Sequence, residues 1–395
     1  MKKIVACGAF DIGSVGDEAA LEFLRTALPV GEIDLTVLVR SPSEEYGRKR
    51  LVNVQRKLEH SSLEQAKGRN LRGFNADETT ETLMPLFMML EEADLLLLGP
   101  GAFINEQSKH MLKGALQEMY VMSLLADLAG CPYMIWGASA NRIIDPILHG
   151  MVKDLVKRSV VTVLRDSLSL RRLILSGAPA SKIRVIPDPV LGWDMVPMWK
   201  NIKKDHVAVS VRDVSHVANQ ERFEAVIADV VIELLRDGTD ITFVPHFVDG
   251  SKRDDLAVID RIVVLIYYWF YENENPANNR YRDIRVLYDN DLPAIEEVYR
   301  EVKCVIGTRL HSCVMAARCG APIVPLSYDP KIDGFIADAA DGGHPVINVA
   351  DREFSSYIIL EAMRSPFVVT SIGSFVRELH EEYKKLFSGL LGENR

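Results

Sequence analysis

At 395 residues, with 48% apolar and 26% charged side chains, the chain is long enough for about two hydrophobic cores of ordinary size. Its net charge of −9 argues against a general nucleic-acid binder, since such proteins draw most of their affinity from neutralising phosphates. The five cysteines, Cys7, Cys131, Cys304, Cys313 and Cys319, lie mostly in apolar stretches without the paired short spacings of a zinc site. Buried or reduced thiols in a cytoplasmic protein are therefore expected.

The opening MKKIVACGAF turns polar at Asp11, lacks the apolar core of a signal peptide, and reads as a first buried strand. Strand-like apolar runs at 3–9, 33–39, 94–98, 132–136, 159–164 and 183–186 alternate with helix-length segments. That is the pattern of a mostly parallel sheet covered on both faces. The basic stretch with Arg48, Lys49, Arg50, Arg56 and Lys57, followed by Lys67, Arg69 and Arg72, reads as a solvated face. Its alternative is a surface for an anionic polymer or a membrane-bound acceptor.

After the aperiodic PDPVLGWDMVPMWKNIKKD the alternation restarts, with strands at 206–211, 240–244, 283–287, 303–306 and 322–325. The apolar run Ile262–Tyr271 is about half of a membrane span and is expected on one side of a packed helix. The tail from Ser371 onward has helical spacing. The predicted fold class is α/β, with two Rossmann-like domains at 1–200 and 201–368 facing across a cleft. A helix at 369–395 is expected to pack back on the first domain. Ligands in open α/β sheets bind beyond the carboxyl ends of the strands, so candidate chemistry is sought there.

The loop Gly13–Leu21, GSVGDEAAL, joins the first strand to an apolar helix. Backbone amides at a helix start can hold an anion, while Asp17 and Glu18 repel phosphate and are themselves stabilised by the helix dipole. They either cap the helix or orient and deprotonate an acceptor hydroxyl. In LLLLGPGAFINEQS a tight turn explains the glycines, and Asn105, Glu106 and Gln107 either bind sugar hydroxyls or cap a helix near Ser108. Arg165 follows a buried strand and can grip an anion in a bidentate fork or pair locally with Asp166. Arg212 holds the equivalent place in the second domain, and two such arginines across one cleft suit a substrate with two anionic groups.

The most specific stretch is VIGTRLHSCVMAARCGAPIVPLSYDPK, Val305–Lys331: strand, turn, small-residue helix, strand. If the strands are parallel neighbours, Arg309, His311 and Lys331 meet at one edge, and a ligand role for His311 follows. His246 with Asp249 falls short of a metal-ligand set, and no metal is expected.

In order, Gly16-Asp17-Glu18, Arg165-Asp166-Ser167, Pro187-Asp188-Pro189, Val209-Ser210-Val211-Arg212, Pro245-His246 with Asp249, Arg309 to Ser312, and Tyr328 to Lys331 resemble the polysaccharide pyruvyltransferase family. The resemblance implies a GT-B-like fold, phosphoenolpyruvate as co-substrate with no further cofactor, and a ketal bridging two hydroxyls of a surface glycan. By the same resemblance His311 and Lys331 hold phosphoenolpyruvate, with His311 also the proton donor. Arg165, Arg212 and Arg309 are then anion clamps, Asp17 is the base or acceptor-orienting group, and Glu18, Asn105 and His246 line the substrate. The acceptor is a glycan or lipid-linked glycan, and a lipid-linked one would bring this cytoplasmic protein to the inner face of the membrane as a peripheral partner. A homodimer is allowed, although no interface can be read.

The chain departs from the family pattern at Gly99-Pro100-Gly101-Ala102-Phe103, where a glycine run is expected, and at Gly137-Ala138-Ser139-Ala140, where a G-Q-G-like turn is expected. Two other readings share the fold: a nucleotide-sugar glycosyltransferase, and a non-catalytic glycan- or anion-binding protein.

Overall fold

Runs such as Leu95–Leu98 and Cys304–Gly307, buried at every position, cannot leave either face in water, and both form interior strands of parallel sheets. The computed structural model describes residues 2–10, 13–28, 33–38, 51–52, 84–106, 114–192, 205–274, 283–288, 290–339, 344–369 and 372–392. The chain divides into two compact units. The first comprises Met1–Ile12, Ala20–Asp194 and Glu378–Arg395, and the second Gly13–Ala19 and Met195–Arg377.

The first sheet contains β1 (Lys2–Cys7), β2 (Ile33–Leu38), β3 (Leu51–Val52), β4 (Leu95–Leu98), β5 (Gly101–Ile104), β6 (Tyr133–Ala140), β7 (Thr162–Leu164) and β8 (Ile183–Val185). Their order is β3-β2-β1-β4-β6-β7-β8, with β5 pairing β6, and the pairings are parallel. Helices α1 (Val15–Ala27), α2 (Met84–Glu91), α3 (Ala115–Leu128), α4 (Pro146–Arg158) and α5 (Ser167–Leu175) alternate with these strands. The second sheet runs in the order β11-β10-β9-β12-β13-β14, again parallel. Its strands are β9 (His206–Ser210), β10 (Asp240–Phe243), β11 (Ile284–Val286), β12 (Cys304–Gly307), β13 (Ile323–Ser327) and β14 (Ile347–Asn348). Between and after them come α6 (Gln220–Arg236), α7 (Asp255–Asn273), α8 (Leu292–Glu301), α9 (Leu310–Arg318), α10 (Pro330–Ala339), α11 (Ser356–Ala362) and the long α12 (Ile372–Gly392).

Short polar side chains start the helices. Asp145, Asp166, Asn219, Asp254 and Asp291 each accept a backbone N–H from the first turn of α4, α5, α6, α7 and α8 respectively. Such caps satisfy donors that the helix itself leaves unpaired. Along α7, Val258, Ile259, Ile262, Ile266 and Phe270 are buried, while Tyr267, Tyr268 and Tyr271 on the other side are exposed. The apolar run there is one face of a packed helix, as its spacing predicts. No helix among the described residues is long and apolar enough to cross a membrane.

The C-terminal helix packs into the first unit. There Phe23 meets His380 edge-on at 4.9 Å and Tyr383 at 5.1 Å, and His380 Nε2 lies 2.6 Å from the Gly192 carbonyl oxygen. Each expected strand is present within a few residues of its predicted ends. The expected turn at Gly99-Pro100-Gly101 is real, but the chain then forms a further strand, β5. Gly99 is required there: its φ is 122°, and a Cβ would lie 2.3 Å from the Trp136 carbonyl oxygen. The turn expected at Gly137-Ala138-Ser139-Ala140 does not form, because β6 continues through it, fully buried. The basic stretch at 47–72, apart from β3, lies outside the described residues.

Cys7, Cys131, Cys304 and Cys313 are buried free thiols, and Cys319 is half-buried. Burial pushes the thiols of Cys131, Cys304, Cys313 and Cys319 up to about 12, so they stay protonated and unreactive at neutral pH.

Candidate functional site

The register of the second sheet explains why distant motifs meet. Gly307 of β12 pairs with Ser210 of β9 on one side and Pro325 of β13 on the other. The three strands therefore end side by side, and the segments leaving them share one edge. After β9 comes Arg212, after β12 Arg309 and His311, and after β13 Tyr328 and Lys331.

Arg212 and Lys331 gather on the phenol of Tyr328, which is only 8% exposed. The guanidinium of Arg212 lies over its ring at 4.0 Å and donates Nη1 to its hydroxyl. The ammonium of Lys331 is 5.2 Å from the ring centroid, and His216 meets the ring edge-on at 5.7 Å. Burial alone would raise the phenol, but Lys331, Arg212 and Arg309 outweigh it and bring Tyr328 below its ordinary value. Burial and the neighbouring Arg212 also lower His216. The edge thus gathers several cations around one buried phenol, with Asp213 and Asp329 near enough to act on His216 as well.

Arg309 is held differently. Its Nε donates to both oxygens of Asp255 at 3.1 Å, Nη2 donates to Oδ1, and its Cζ lies 5.2 Å from the centre of the Phe247 ring. Burial opposes the charge, but Asp255 beside it keeps the guanidinium protonated. Arg309, a candidate anion clamp, is held in a bidentate ion pair with Asp255. His246 is buried, with Nε2 2.7 Å from the Tyr299 hydroxyl. Its Nδ1 has no hydrogen-bond partner among the described residues. Burial, His311 and Arg309 hold its imidazole well below the ordinary range, so it is neutral. It is a packed, hydrogen-bonded residue beneath the edge.

The first turn of α1 completes the group. Val15 N–H donates to the His246 carbonyl at 3.0 Å, Ser14 bridges Phe247, and Val248 N–H donates to the Gly13 carbonyl at 3.0 Å. A Cβ on Gly16 would lie 1.8 Å from His311 Nδ1, so the backbone here rests directly on the imidazole. Asp17, buried, and Glu18, half-buried, follow in the same turn. The sequence assigns these residues to the first domain, yet residues 13–19 pack as part of the second unit.

The motifs that meet here belong to one known family. Residues 15–330, well over half of the chain, match the family described as polysaccharide pyruvyl transferase. The chain belongs to that family. No curated protein matches it by sequence. Among solved structures, the polysaccharide pyruvyl transferase chain resembles Anabaena Alr3699/HepE in complex with UDP and glucose. That likeness has a TM-score of 0.59 and 12% identity over 100% of both chains. It also resembles the UDP-GlcNAc 2-epimerase of Methanocaldococcus jannaschii, with a TM-score of 0.58 and 11% identity over 97% of this chain and 99% of that one. A lipopolysaccharide outer core galactosyltransferase, WaaB, shows a TM-score of 0.55 and 11% identity over 100% of both chains. At such identities the likeness is of fold alone, and the fold is GT-B-like.

Two predicted site residues lie in the first unit and are bound into its structure. Arg165 is buried, donating Nε to Ser139 Oγ at 2.6 Å and Nη1 to Asp188 at 2.8 Å. Its partner is not Asp166, which instead caps α5 through Ser169 N–H at 2.7 Å. Arg165, a candidate anion clamp, thus has its guanidinium in a buried pair. Asn105 is buried and donates Nδ2 to the Ala102 carbonyl at 2.5 Å, and Glu106 accepts the N–H of Ile144 at 2.6 Å. Gln107 and the helix start near Ser108 lie outside the described residues.

The sequence reading missed Tyr328, Asp255, Tyr299 and His216. Tyr328 had a signal, since it opens the Tyr328-Asp329-Pro330-Lys331 motif. Asp255 had none, because beside Asp254 it looks like a second helix-capping residue.

Proposed function

We propose that this polysaccharide pyruvyl transferase moves a pyruvyl group from phosphoenolpyruvate onto two hydroxyls of a glycan or lipid-linked glycan, closing a ketal. The observation that carries the reading is the cluster of cations at the strand ends of the second unit, with Arg212 and Lys331 on Tyr328 and His311 following the neighbouring strand. A carboxylate and a phosphate on one small molecule suit two separate cations beside a proton donor.

On this reading His311, as imidazolium, gives its proton to the methylene carbon of phosphoenolpyruvate, and the adjacent carbon becomes electrophilic. One sugar hydroxyl attacks that carbon and gives up its proton to a base, for which Asp17 in the first turn of α1 is the candidate. Phosphate leaves with the electrons of its C–O bond, and the second hydroxyl closes the ring and loses its proton. Arg212 and Lys331 stabilise the departing charge.

The test is phosphate release from phosphoenolpyruvate by the purified chain, with and without short or lipid-linked glycans, followed by the mass of the glycan. A gain of pyruvate less water supports the reading. No release, no mass gain and no binding of phosphoenolpyruvate sink it. Consumption of UDP-glucose in a parallel reaction would put a nucleotide-sugar transferase in its place. His311→Ala is expected to stay folded and lose transfer.

A further inference from the structure

Helix α7 begins with two consecutive aspartates that do different things. Asp254 is the cap: its carboxylate accepts the N–H of Ala257 at 2.8 Å and of Gly250 at 3.0 Å. Asp255 is not needed for that task. It is fully buried, and its carboxylate turns back toward the ends of β10 and β12. Oδ2 accepts the N–H of His246 at 2.9 Å and of Phe247 at 3.0 Å, while both oxygens accept Arg309 Nε. Its own N–H donates to the Phe247 carbonyl at 3.0 Å.

Two structural routes to His311 start from this carboxylate. One runs through Arg309, which immediately precedes α9 and stands two residues before His311. The other runs through the 246–248 segment, on which the first turn of α1 hangs by its backbone hydrogen bonds, and then through Gly16 against the imidazole. A buried ion pair persists only when its remaining lone pairs are also satisfied, and Asp255 meets that condition with backbone N–H groups from the turn that needs placing. The arrangement resembles the outer partners that orient metal ligands or catalytic groups elsewhere.

We propose that Asp255 is the positioning residue of this site, fixing Arg309 and the 246–247 turn so that His311 and the first turn of α1 keep their mutual placement. The assignment rests on the reading of this edge as the phosphoenolpyruvate site. Because Asp255 balances the charge of Arg309, Arg309 orients the strand end, and Arg212 and Lys331 are the cations left to meet the substrate.

The experiment compares full-length Asp255→Asn, Arg309→Gln and the double variant, with Asp254→Ala as a control that removes the neighbouring carboxylate and its bonds to Ala257 and Gly250. Three quantities are read: folding by thermal melting, hydrogen exchange of the amides of Val15, His246 and Val248, and kcat and KM for phosphoenolpyruvate. Asp255→Asn is expected to lose about 100-fold in kcat, the cost of displacing a reacting group by about 1 Å, with a smaller change in KM. Exchange at the three amides accelerates, Asp254→Ala keeps the wild-type kcat, and the double variant is no worse than the worse single one, because the pair acts as a unit. A folded Asp255→Asn with native exchange and native kcat overturns the assignment, as do losses in the two single variants that simply add. If Asp255→Asn does not fold, the double variant, which leaves no buried charge unpaired, carries the same comparison against wild type. Should the wild-type chain fail to bind phosphoenolpyruvate, the reading of the site fails, and exchange at the three amides alone supports or overturns the role of Asp255.

Discussion

Gly16 carries no side chain because the space a Cβ would take belongs to the His311 ring, 1.8 Å away. Gly16 stands in the first turn of α1, where the helix backbone meets the imidazole without a side chain between them. Gly16→Ala is expected to displace the imidazole and reduce transfer by about 100-fold while α1 still forms, since a misplacement of about 1 Å is enough for that loss. Steady-state kinetics alongside circular dichroism check it, and an active Gly16→Ala would mean the contact is irrelevant to chemistry. Lys331 acts on another quantity. Lys331→Met keeps an apolar stem over Tyr328 and removes the charge, and should raise KM for phosphoenolpyruvate about 10- to 100-fold. That magnitude comes from the roughly 1.5–3 kcal/mol of a hydrogen bond to a charged group. An unchanged KM would remove Lys331 from the site.

At the scale of elements, the same residue type plays opposite parts according to what the neighbouring strand end provides. Arg165, after β7, finds Asp188 and is closed into a buried pair of 5% and 3% side-chain exposure. Arg212, after β9, finds the face and hydroxyl of Tyr328 rather than a carboxylate in a buried bidentate pair. Both arginines follow a buried strand, and the sequence reading treated them as equivalents. Asp188→Ala is expected to cost about 3–5 kcal/mol of stability, the penalty for leaving one charge of a buried pair alone. Urea unfolding measures it, and a loss below about 1 kcal/mol, the worth of an exposed pair, would show that solvent reaches Arg165. The alternation of apolar runs, and hence nearly every strand, was legible beforehand because a parallel strand must be apolar on both faces. Strands of two residues, such as β3 and β14, were not, because pairs that short carry no period.

For the whole molecule, the buried histidine links stability to pH. The imidazole of His246 titrates well below its ordinary value because of burial, His311 and Arg309, whereas in the unfolded chain it titrates near the reference of about 6.5. Above that pH both states are neutral and His246 contributes nothing. Below it the unfolded state takes up a proton that the folded state refuses, so stability falls with falling pH, by at most about 1.4 kcal/mol per pH unit, until the folded value is reached. His246→Gln, which can still bond Tyr299, should flatten this dependence between about pH 6.5 and 5 in urea titrations. An unchanged slope would assign the acid sensitivity to other groups.

By itself the sequence determined the two-sheet α/β architecture, the family motifs, and the placing of Arg212, Arg309, His311 and Lys331 after strands. Those are consequences of local period and of the rule that parallel neighbours end together. Only the tertiary structure decided which cations are closed into buried ion pairs and which unit holds the first turn of α1. Arg309 is paired by a carboxylate 54 residues away and Arg165 by one 23 residues away. The residues Gly13–Ala19 pack with strand ends far along the chain. Such pairings depend on strand order and register, which set distances between remote segments and leave no trace in the spacing of neighbouring residues.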